Sequence, residues 1–308
     1  MLKMVNTVPI LLGVVTIVFV AMRLVPGDPA QAALGEYASA EAIQALRAEM
    51  GLTRPLWVQY GAFLGSLARG DLGKSYITKR QIRGDILAEL PYTVDLTLAS
   101  TCLSLLIGLP AGIVSAIKRN TAVDYLTRVA SLLGLSMPPF FLGILLLLVF
   151  ALAIPLFPVM GGGNLSSLRE RILYLALPAF SLGSIAAALV ARMTRASMLE
   201  VMREDFIRTA SAKGLAGSVV VYKHALRNAL IPIVTVVGLY LGVTLGGSVV
   251  TETVFNRPGL GRLMVGAILN RDYTVVQSSM VIFAGFIVIV NLLVDLTYGF
   301  FDPRVRYD

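Results

Sequence analysis

The chain has 308 residues, of which 56% are hydrophobic and 14% carry a charge, and its net charge is +8. Soluble domains carry about a quarter charged residues, so this composition excludes an ordinary soluble protein. The cations are not interleaved with aromatic residues in a basic patch, so we expect no nucleic-acid partner and attribute the positive charge to membrane topology. The single cysteine, Cys102, excludes an internal disulfide.

Long hydrophobic runs predict membrane-spanning helices, which need about 20 apolar residues each. The first run is longer than the apolar core of a signal peptide and no A-x-A cleavage site follows it, so we expect it to be retained. Prolines interrupt several runs, and the pair Pro138-Pro139 lies inside the third. We therefore predict an all-α integral membrane protein with six transmembrane helices. The runs lie at about 5–25, 94–117, 129–154, 172–191, 230–250 and 276–300.

The segment between the first two runs, 26–93, is the one sizeable part of the chain outside the predicted spans. Trp57, Tyr60 and Phe63 recur in it three residues apart, as on one face of a helix. Such a face is typical of a helix that lies on the membrane or against the helical body. ARGDLGKS at 68–75 fits a relaxed phosphate-loop pattern, but it lacks the preceding strand and following helix, so we expect no nucleotide site there.

The distribution of Lys and Arg predicts the orientation. Seven of them lie in 192–229 and three in the short loop 118–128, whereas the loops on the opposite side, 155–171 and 252–275, carry two and three. Cytoplasmic loops of membrane proteins are the basic ones, so we expect both termini to lie in the cytoplasm.

No residue pattern typical of an enzyme occurs. His224 is the one histidine and lies far from Cys102, so the sequence offers no metal-ligand cluster, and no G-x-S-x-G motif is present. Asp95 and Asp295 lie in predicted spans, towards opposite faces of the membrane. For both we favour a structural ion pair or cap over a functional carboxylate. We therefore predict no catalytic residue and no metal site.

The basic segment RTASAKGLAGSVVVYKHALRNALIP, at 208–232, holds four cations, a histidine and no acid. We expect a helix to continue the fourth span beyond the membrane and to be ended by Gly214 and Gly217. A further helix, beginning at KHALRNALIP, would lead into the fifth span. The residues alone support two readings equally: a surface that meets a partner, or a loop lying on anionic headgroups.

Motifs in this segment and elsewhere resemble one family. EDFIRTASAKGL followed by HALRNALIP is similar to the cytoplasmic signature loop of ABC-importer membrane subunits, in their dipeptide/oligopeptide branch. Thr209-Ala210-Ser211 stands where the general pattern has Glu-Ala-Ala, and Pro232 comes later than the proline of sugar importers. Further motifs of that branch are LVPGDP at 24–29, ETVFNRPGLGRL at 252–263, RDYTVVQ at 271–277 and DPRVRY at 302–307. The first and the last of these resemble its B-type subunit.

This resemblance implies the type I ABC importer transmembrane fold in a bacterial inner membrane. It divides the chain into 1–93, the first transmembrane helix plus an extracytoplasmic segment, and 94–308, the transmembrane core. The implied partners are a second permease subunit forming a heterodimer, two ATPase subunits, an extracytoplasmic substrate-binding protein and membrane lipid. ATP and magnesium would be bound by the ATPases, so we expect no cofactor in this chain.

The resemblance also implies two sites. A coupling helix near 205–214 would dock on an ATPase subunit. Its residues are Asp205, Phe206, Arg208, Thr209, Ala210, Ser211, Lys213 and Gly214. The outer turn is a candidate gate or binding-protein contact, and its residues are Asn256, Arg257, Pro258 and Gly259.

The transported solute stays open. Dipeptides, longer peptides, glutathione, opines and nickel chelates are all carried by similar permeases. The alternative from another class is a stand-alone secondary transporter or channel, which would depend on Asp95 or Asp295.

Overall fold

The computed structural model describes the backbone of residues 2–301 and the side chains of residues 7–294. Within those residues the chain is helical and forms no β-strand, apart from one isolated antiparallel bridge between Lys74 and Gln81.

The helices are numbered in chain order. They are α1 (Leu2–Leu24), α2 (Pro29–Leu34), α3 (Ala40–Glu49), α4 (Leu56–Ala68), α5 (Ile82–Ile117), α6 (Ala122–Ser136), α7 (Pro139–Leu147), α8 (Leu168–Val201), α9 (Asp205–Ala212), α10 (Gly217–Val219), α11 (Leu226–Val254), α12 (Leu260–Leu269) and α13 (Tyr273–Phe301). A π-helical turn extends α7 over Leu148–Ala153, and a second one, Val220–Ala225, joins α10 to α11.

In the described part of the chain, five helical stretches are long and apolar enough to cross a membrane. They are Thr7–Leu24, Ile82–Ile117, Leu168–Val201, Gly217–Val254 and Tyr273–Val294. Each contains most of one predicted span, so five of the six predictions are confirmed as single helices.

The remaining predicted span, 129–154, is not one straight helix. α6 and Pro139–Ala153 are bent by 101° relative to each other, and together they can count as a sixth span. The break follows from the proline pair, because Pro138 disfavours a helical conformation at Met137, which is extended at φ −95° and ψ 123°.

The chain forms two compact units, and the first contains the residues up to Thr93 together with Pro258–Ile289. In it, Val15 and Val18 of α1 pack with Val281 of α13. Phe19 of α1 contacts the rings of Tyr60 and Phe63, at centroid distances of 5.1 and 5.9 Å. These two rings of α4 thus lie against the helical body, as predicted. Trp57 is 76% exposed.

The second unit contains Val94–Arg257 and the residues from Val290 onward, and α8 runs through its centre. Here α5 and α8 approach so closely that side chains are excluded. A Cβ atom on Gly108 would lie 2.5 Å from the carbonyl oxygen of Ala187, and one on Gly112 would lie 2.5 Å from that of Ala191. Small residues four apart allow this approach in membrane helices.

We predict that Gly112→Ala destabilises the protein by about 1–3 kcal/mol, because the added methyl group overpacks the contact with α8. Thermal unfolding in detergent would measure the loss. Gly84→Ala is the matched control on the same helix, since nothing lies within 4 Å of the position of its Cβ atom. Equal stability of the two variants would contradict the close approach.

Candidate functional site

The connection between α8 and α11 differs from the continuous helix that the sequence suggested. α8 ends at Val201, residues 202–204 form a turn, and Glu204 is extended (φ −68°, ψ 148°) before α9 begins. The expectation of one helix running from the fourth span to Gly214 is therefore wrong. By turning back, α9 buries Ile207 and Ala210, which a straight continuation of α8 would leave in water.

One face of α9 is fixed to the protein. Ile207 and Ala210 lie three residues apart, on the same side of the helix, and are 6% and 7% exposed. They belong to a buried apolar group that we call the α9 cluster. Its other buried members are Ala116, Val190, Met198, Val220, Ala225, Ala229 and Ile233. The α9 cluster thus joins the short helix to α5, α8 and α11.

The opposite face of α9 is exposed and mostly polar. Arg208 and Asp205 form an exposed pair at 3.4 Å, which adds little to stability. The hydroxyl of Thr209 donates to the carbonyl of Asp205 (2.9 Å), and that of Ser211 donates to the carbonyl of Ile207 (3.1 Å). Phe206 is 43% exposed and is the large apolar side chain on this surface. An exposed aromatic ring among charges is a feature of protein-docking surfaces.

The two glycines after α9 have different roles. Gly214 has φ +75°, a left-handed conformation that suits glycine, so its predicted role in ending the helix is confirmed. Gly217 instead begins α10, and the expectation that it ends a helix is wrong. The following helix starts there, before Lys223, and Pro232 lies inside α11.

Of the eight residues predicted to dock on a partner, seven are exposed. Ala210 is buried, so it anchors the helix and offers no surface to a partner in this structure. The sequence prediction missed Ile207, although an apolar residue three positions before Ala210 is the usual signal of a buried helical face.

The outer turn is more buried than predicted. Arg257 is 0% exposed and donates to Asp95 and to the carbonyl of Gly162, both at 3.4 Å. Gly259 is buried as well, and its N–H donates to Glu89. Asn256 is exposed, at φ +44°. In this structure a contact with another protein through Arg257 or Gly259 is therefore not available, whereas one through Asn256 is.

Asp95 is buried and belongs to an ionic group, as the sequence suggested, with the buried Arg257 and the half-exposed Arg171. It accepts hydrogen bonds from Arg171, with Nε at 2.8 Å, as well as from Arg257. The structural ion pair expected for Asp95 is thus confirmed. The side chain of Asp295 lies outside the described residues.

A second buried carboxylate, Asp124, was not foreseen. It is fully buried and is held by Arg195, whose Nε and Nη2 donate to its two oxygens at 2.7 and 2.8 Å. Ser115 Oγ donates at 2.6 Å and the N–H of Asn120 at 3.0 Å. Asp124 lies in a charged loop sequence and 71 residues from Arg195, so no local pattern marks it.

The remaining sequence motifs form no ligand site among the described residues. ARGDLGKS lies in the connection between α4 and α5 without the strand and helix of a phosphate loop. Its Lys74 pairs with Glu49 at 3.0 Å, and this carboxylate raises the pKa of Lys74. The described residues also contain no group of three or more His, Cys, Asp or Glu side chains that could hold a metal ion.

Two family models match the chain and together cover nearly all of it. The model described as "Binding-protein-dependent transport system inner membrane component" matches residues 108–307. Its companion, "Binding-prot-dependent transport system membrane comp, N-term", matches residues 1–97.

Curated relatives match over their full length. The chain is 43% identical over 328 residues to the dipeptide transport system permease protein DppB of Alkalihalophilus pseudofirmus, covering 100% of this chain and 98% of the relative. It is 42% identical over 305 residues to the glutathione transport system permease protein GsiC of Pectobacterium atrosepticum (99% and 97% covered). The di/tripeptide transport system permease protein DppB of Pseudomonas aeruginosa is 40% identical over 326 residues (97% and 96% covered).

A solved structure shares the fold. In an inward-facing structure of the MetNI methionine ABC transporter, a chain superposes with a TM-score of 0.57 at 19% identity, covering 70% of this chain and 96% of that one. The expected all-α membrane fold of type I ABC importers is thereby confirmed.

We predict that Ile207→Ala destabilises α9 by about 2 kcal/mol or more, because it leaves a cavity in the α9 cluster. Hydrogen exchange of the amides in 205–213 should become faster. Thr209→Ala is the control on the exposed face and should change stability by no more than about 0.5 kcal/mol. Equal exchange rates in both variants would contradict the anchoring role of Ile207.

We predict that Asp95→Ala destabilises the protein by about 3–5 kcal/mol, because it removes the carboxylate that faces the buried guanidinium of Arg257. The measurement is thermal unfolding of the purified protein in detergent. Glu49→Ala, which breaks the exposed pair with Lys74, should leave the midpoint unchanged. If the midpoint of thermal unfolding shifts by a similar amount in both variants, the stabilising role of the Asp95 ion pairs is contradicted.

Proposed function

Because the chain belongs to the family of binding-protein-dependent transport system inner membrane components, we propose that it forms, together with a second permease subunit, the membrane path for short peptides. It is a multi-pass inner-membrane protein and a permease subunit of an ABC importer, and ATP hydrolysis takes place on separate subunits. The system as a whole includes a partner permease, ATPase and a substrate-binding protein. The observation that carries the coupling of this path to the ATPases is α9, a short helix anchored on one side and exposed on the other.

The anchoring of α9 supports its role as the coupling helix. Ile207 and Ala210 tie it to the ends of α5, α8 and α11 through the α9 cluster. Packed interiors transmit strain instead of absorbing it, so a push on the exposed face displaces these helices together. Asp205, Phe206, Arg208, Thr209, Ser211 and Lys213 form the face that contacts the ATPase, and Gly214 ends it.

The substrate class follows from the relatives. Three of them, at 40–43% identity over nearly the whole chain, are named for dipeptides, for di- and tripeptides and for glutathione, which is itself a tripeptide. The substrate class that these names share is a short peptide.

The arrangement in the membrane follows from the cations. The loop at 118–128 and the segment at 192–229 together carry ten Lys and Arg residues, so these parts and both termini lie in the cytoplasm. The complex contains two ATPase subunits, which bind ATP and magnesium, and this chain holds no cofactor. The binding protein approaches from the opposite side, where Asn256 is the exposed residue of the outer turn.

Transport by reconstituted complex tests the function. The chain would be purified with its partner permease, the ATPases and the binding protein, and placed in liposomes together with radiolabelled alanylalanine or glutathione. We expect peptide movement that requires both ATP and the binding protein. Movement driven by an ion gradient in liposomes that contain this chain alone would favour the stand-alone transporter. That alternative is less supported, because Asp95 is held between two arginines.

We predict that Gly214→Pro and Lys213→Glu abolish most transport while insertion and assembly with the second permease persist. Proline fixes φ near −65° and cannot adopt the +75° of Gly214, so the end of the coupling helix is distorted. Gly217→Pro is the matched control, because Gly217 is the first residue of α10, where proline is tolerated. Normal peptide uptake by the Gly214 and Lys213 variants would overturn the docking role.

A further inference from the structure

The Asp124 group has a feature that the proposed function does not use. Asp124 stands in the first turn of α6, yet its side chain is fully buried. Burying a charge is unfavourable unless it is paired and hydrogen-bonded, and such pairs are best explained where they fix a position. Every oxygen of Asp124 has donors, from Arg195, Ser115 and the backbone of Asn120, and Arg128 lies further off at 3.8 Å.

These contacts join three helices at one point. Ser115 lies near the end of α5, Asp124 near the start of α6 and Arg195 near the end of α8. The two parallel hydrogen bonds from the guanidinium fix both the distance and the angle between α6 and α8. We call this pair of parallel bonds from Arg195 to Asp124 the ionic fork. A lysine could supply the charge but not the two parallel bonds.

The same point adjoins the α9 cluster. Arg195 precedes Met198 by three residues, about one helical turn, and Met198 packs in the cluster that holds Ile207 and Ala210. Ser115 directly precedes Ala116, another member of the cluster. Two of the residues that bind Asp124 therefore lie next to, or about one turn from, residues of the α9 cluster.

Another contact of α6 with α8 is apolar. Further along α6, the position of a Cβ atom on Gly134 lies 3.3 Å from Ala188 of α8, so the helices meet there through small apolar groups. Apolar packing is non-directional, so it sets the spacing of the two helices without fixing one orientation between them. The ionic fork is a directional contact between α6 and α8.

We propose that Asp124 is a positioning residue that transmits the displacement of α9 to α6, and through α6 to the bent α6–α7 pair. The inference rests on the proposed coupling role of α9. Without the ionic fork, a displacement of α9 would still move α5, α8 and α11, but α6 would move less than they do. ATP would then be hydrolysed with less peptide moved.

The test measures peptide moved per ATP hydrolysed in the reconstituted complete complex, with radiolabelled alanylalanine as the probe. For Asp124→Asn and Arg195→Gln, we expect ATP hydrolysis to persist while the ratio falls at least about fivefold. Arg195→Lys, which keeps the charge and loses the fork, and Ser115→Ala should fall between these variants and the wild type. If the Asp124→Asn and Arg195→Gln complexes do not assemble, the ratios of the Arg195→Lys and Ser115→Ala complexes decide the test.

Arg192→Gln is the matched control, because it removes a cation from the exposed side of the same helix one turn earlier. It should keep the wild-type ratio. An unchanged ratio in assembled Asp124→Asn and Arg195→Lys complexes would overturn the proposal, even if less complex assembled, since a merely structural role lowers the yield and not the ratio. An equal drop with Arg192→Gln would also overturn it. If the wild-type complex moves no peptide with ATP, the proposed function itself fails.

Discussion

Close packing around α8 is the constraint on which the second unit depends. In a bilayer, helices gain little from burying apolar surface against each other, because the lipid chains are apolar as well. They associate where backbones can approach closely, and Gly108 and Gly112 provide this on α5. A Cβ atom on Gly183 of α8 would likewise lie 2.6 Å from the carbonyl of Ser100. The centre of α8 is correspondingly buried and rich in alanine.

Ion pairs lie at the two ends of the same helix. Arg171 near its start binds Asp95 of α5, and Arg195 near its end binds Asp124 of α6. At 1.5 Å per residue the two arginines are about 36 Å apart along the axis, slightly more than the roughly 30 Å of a bilayer's apolar core. The two ion pairs thus fall near the ends of α8, and between them the helix is held by close apolar packing together with a hydrogen bond from the Ser181 hydroxyl to the carbonyl of Pro139. This arrangement sets the register of the neighbouring helices without charges in the middle of the membrane.

The connection that follows α8 contains α9, the helix that we propose couples this unit to the ATPase. α9 has eight residues, and its contact with the protein is the face of Ile207 and Ala210. Because this face rests on residues of three long helices, the chain needs no chemistry of its own to respond to an ATPase. In the proposed function, its contribution to the importer is a mechanical link between the docking surface on α9 and the helices that line the peptide path.

The sequence by itself determined the class of protein, most of its spans and the place of the segment that we propose docks on the ATPase. These features can be recognised without a structure because they are local: apolar runs, loop cations and the EDFIRTASAKGL motif. Only the tertiary structure decided how those pieces meet. The turn at 202–204 forms because burying Ile207 and Ala210 requires the chain to fold back. Arg257 is buried and not on the predicted surface, because its guanidinium pairs with the carboxylate of Asp95, 162 residues away. The fork between Asp124 and Arg195 depends in the same way on the packing of α6 against α8, which no stretch of neighbouring residues encodes.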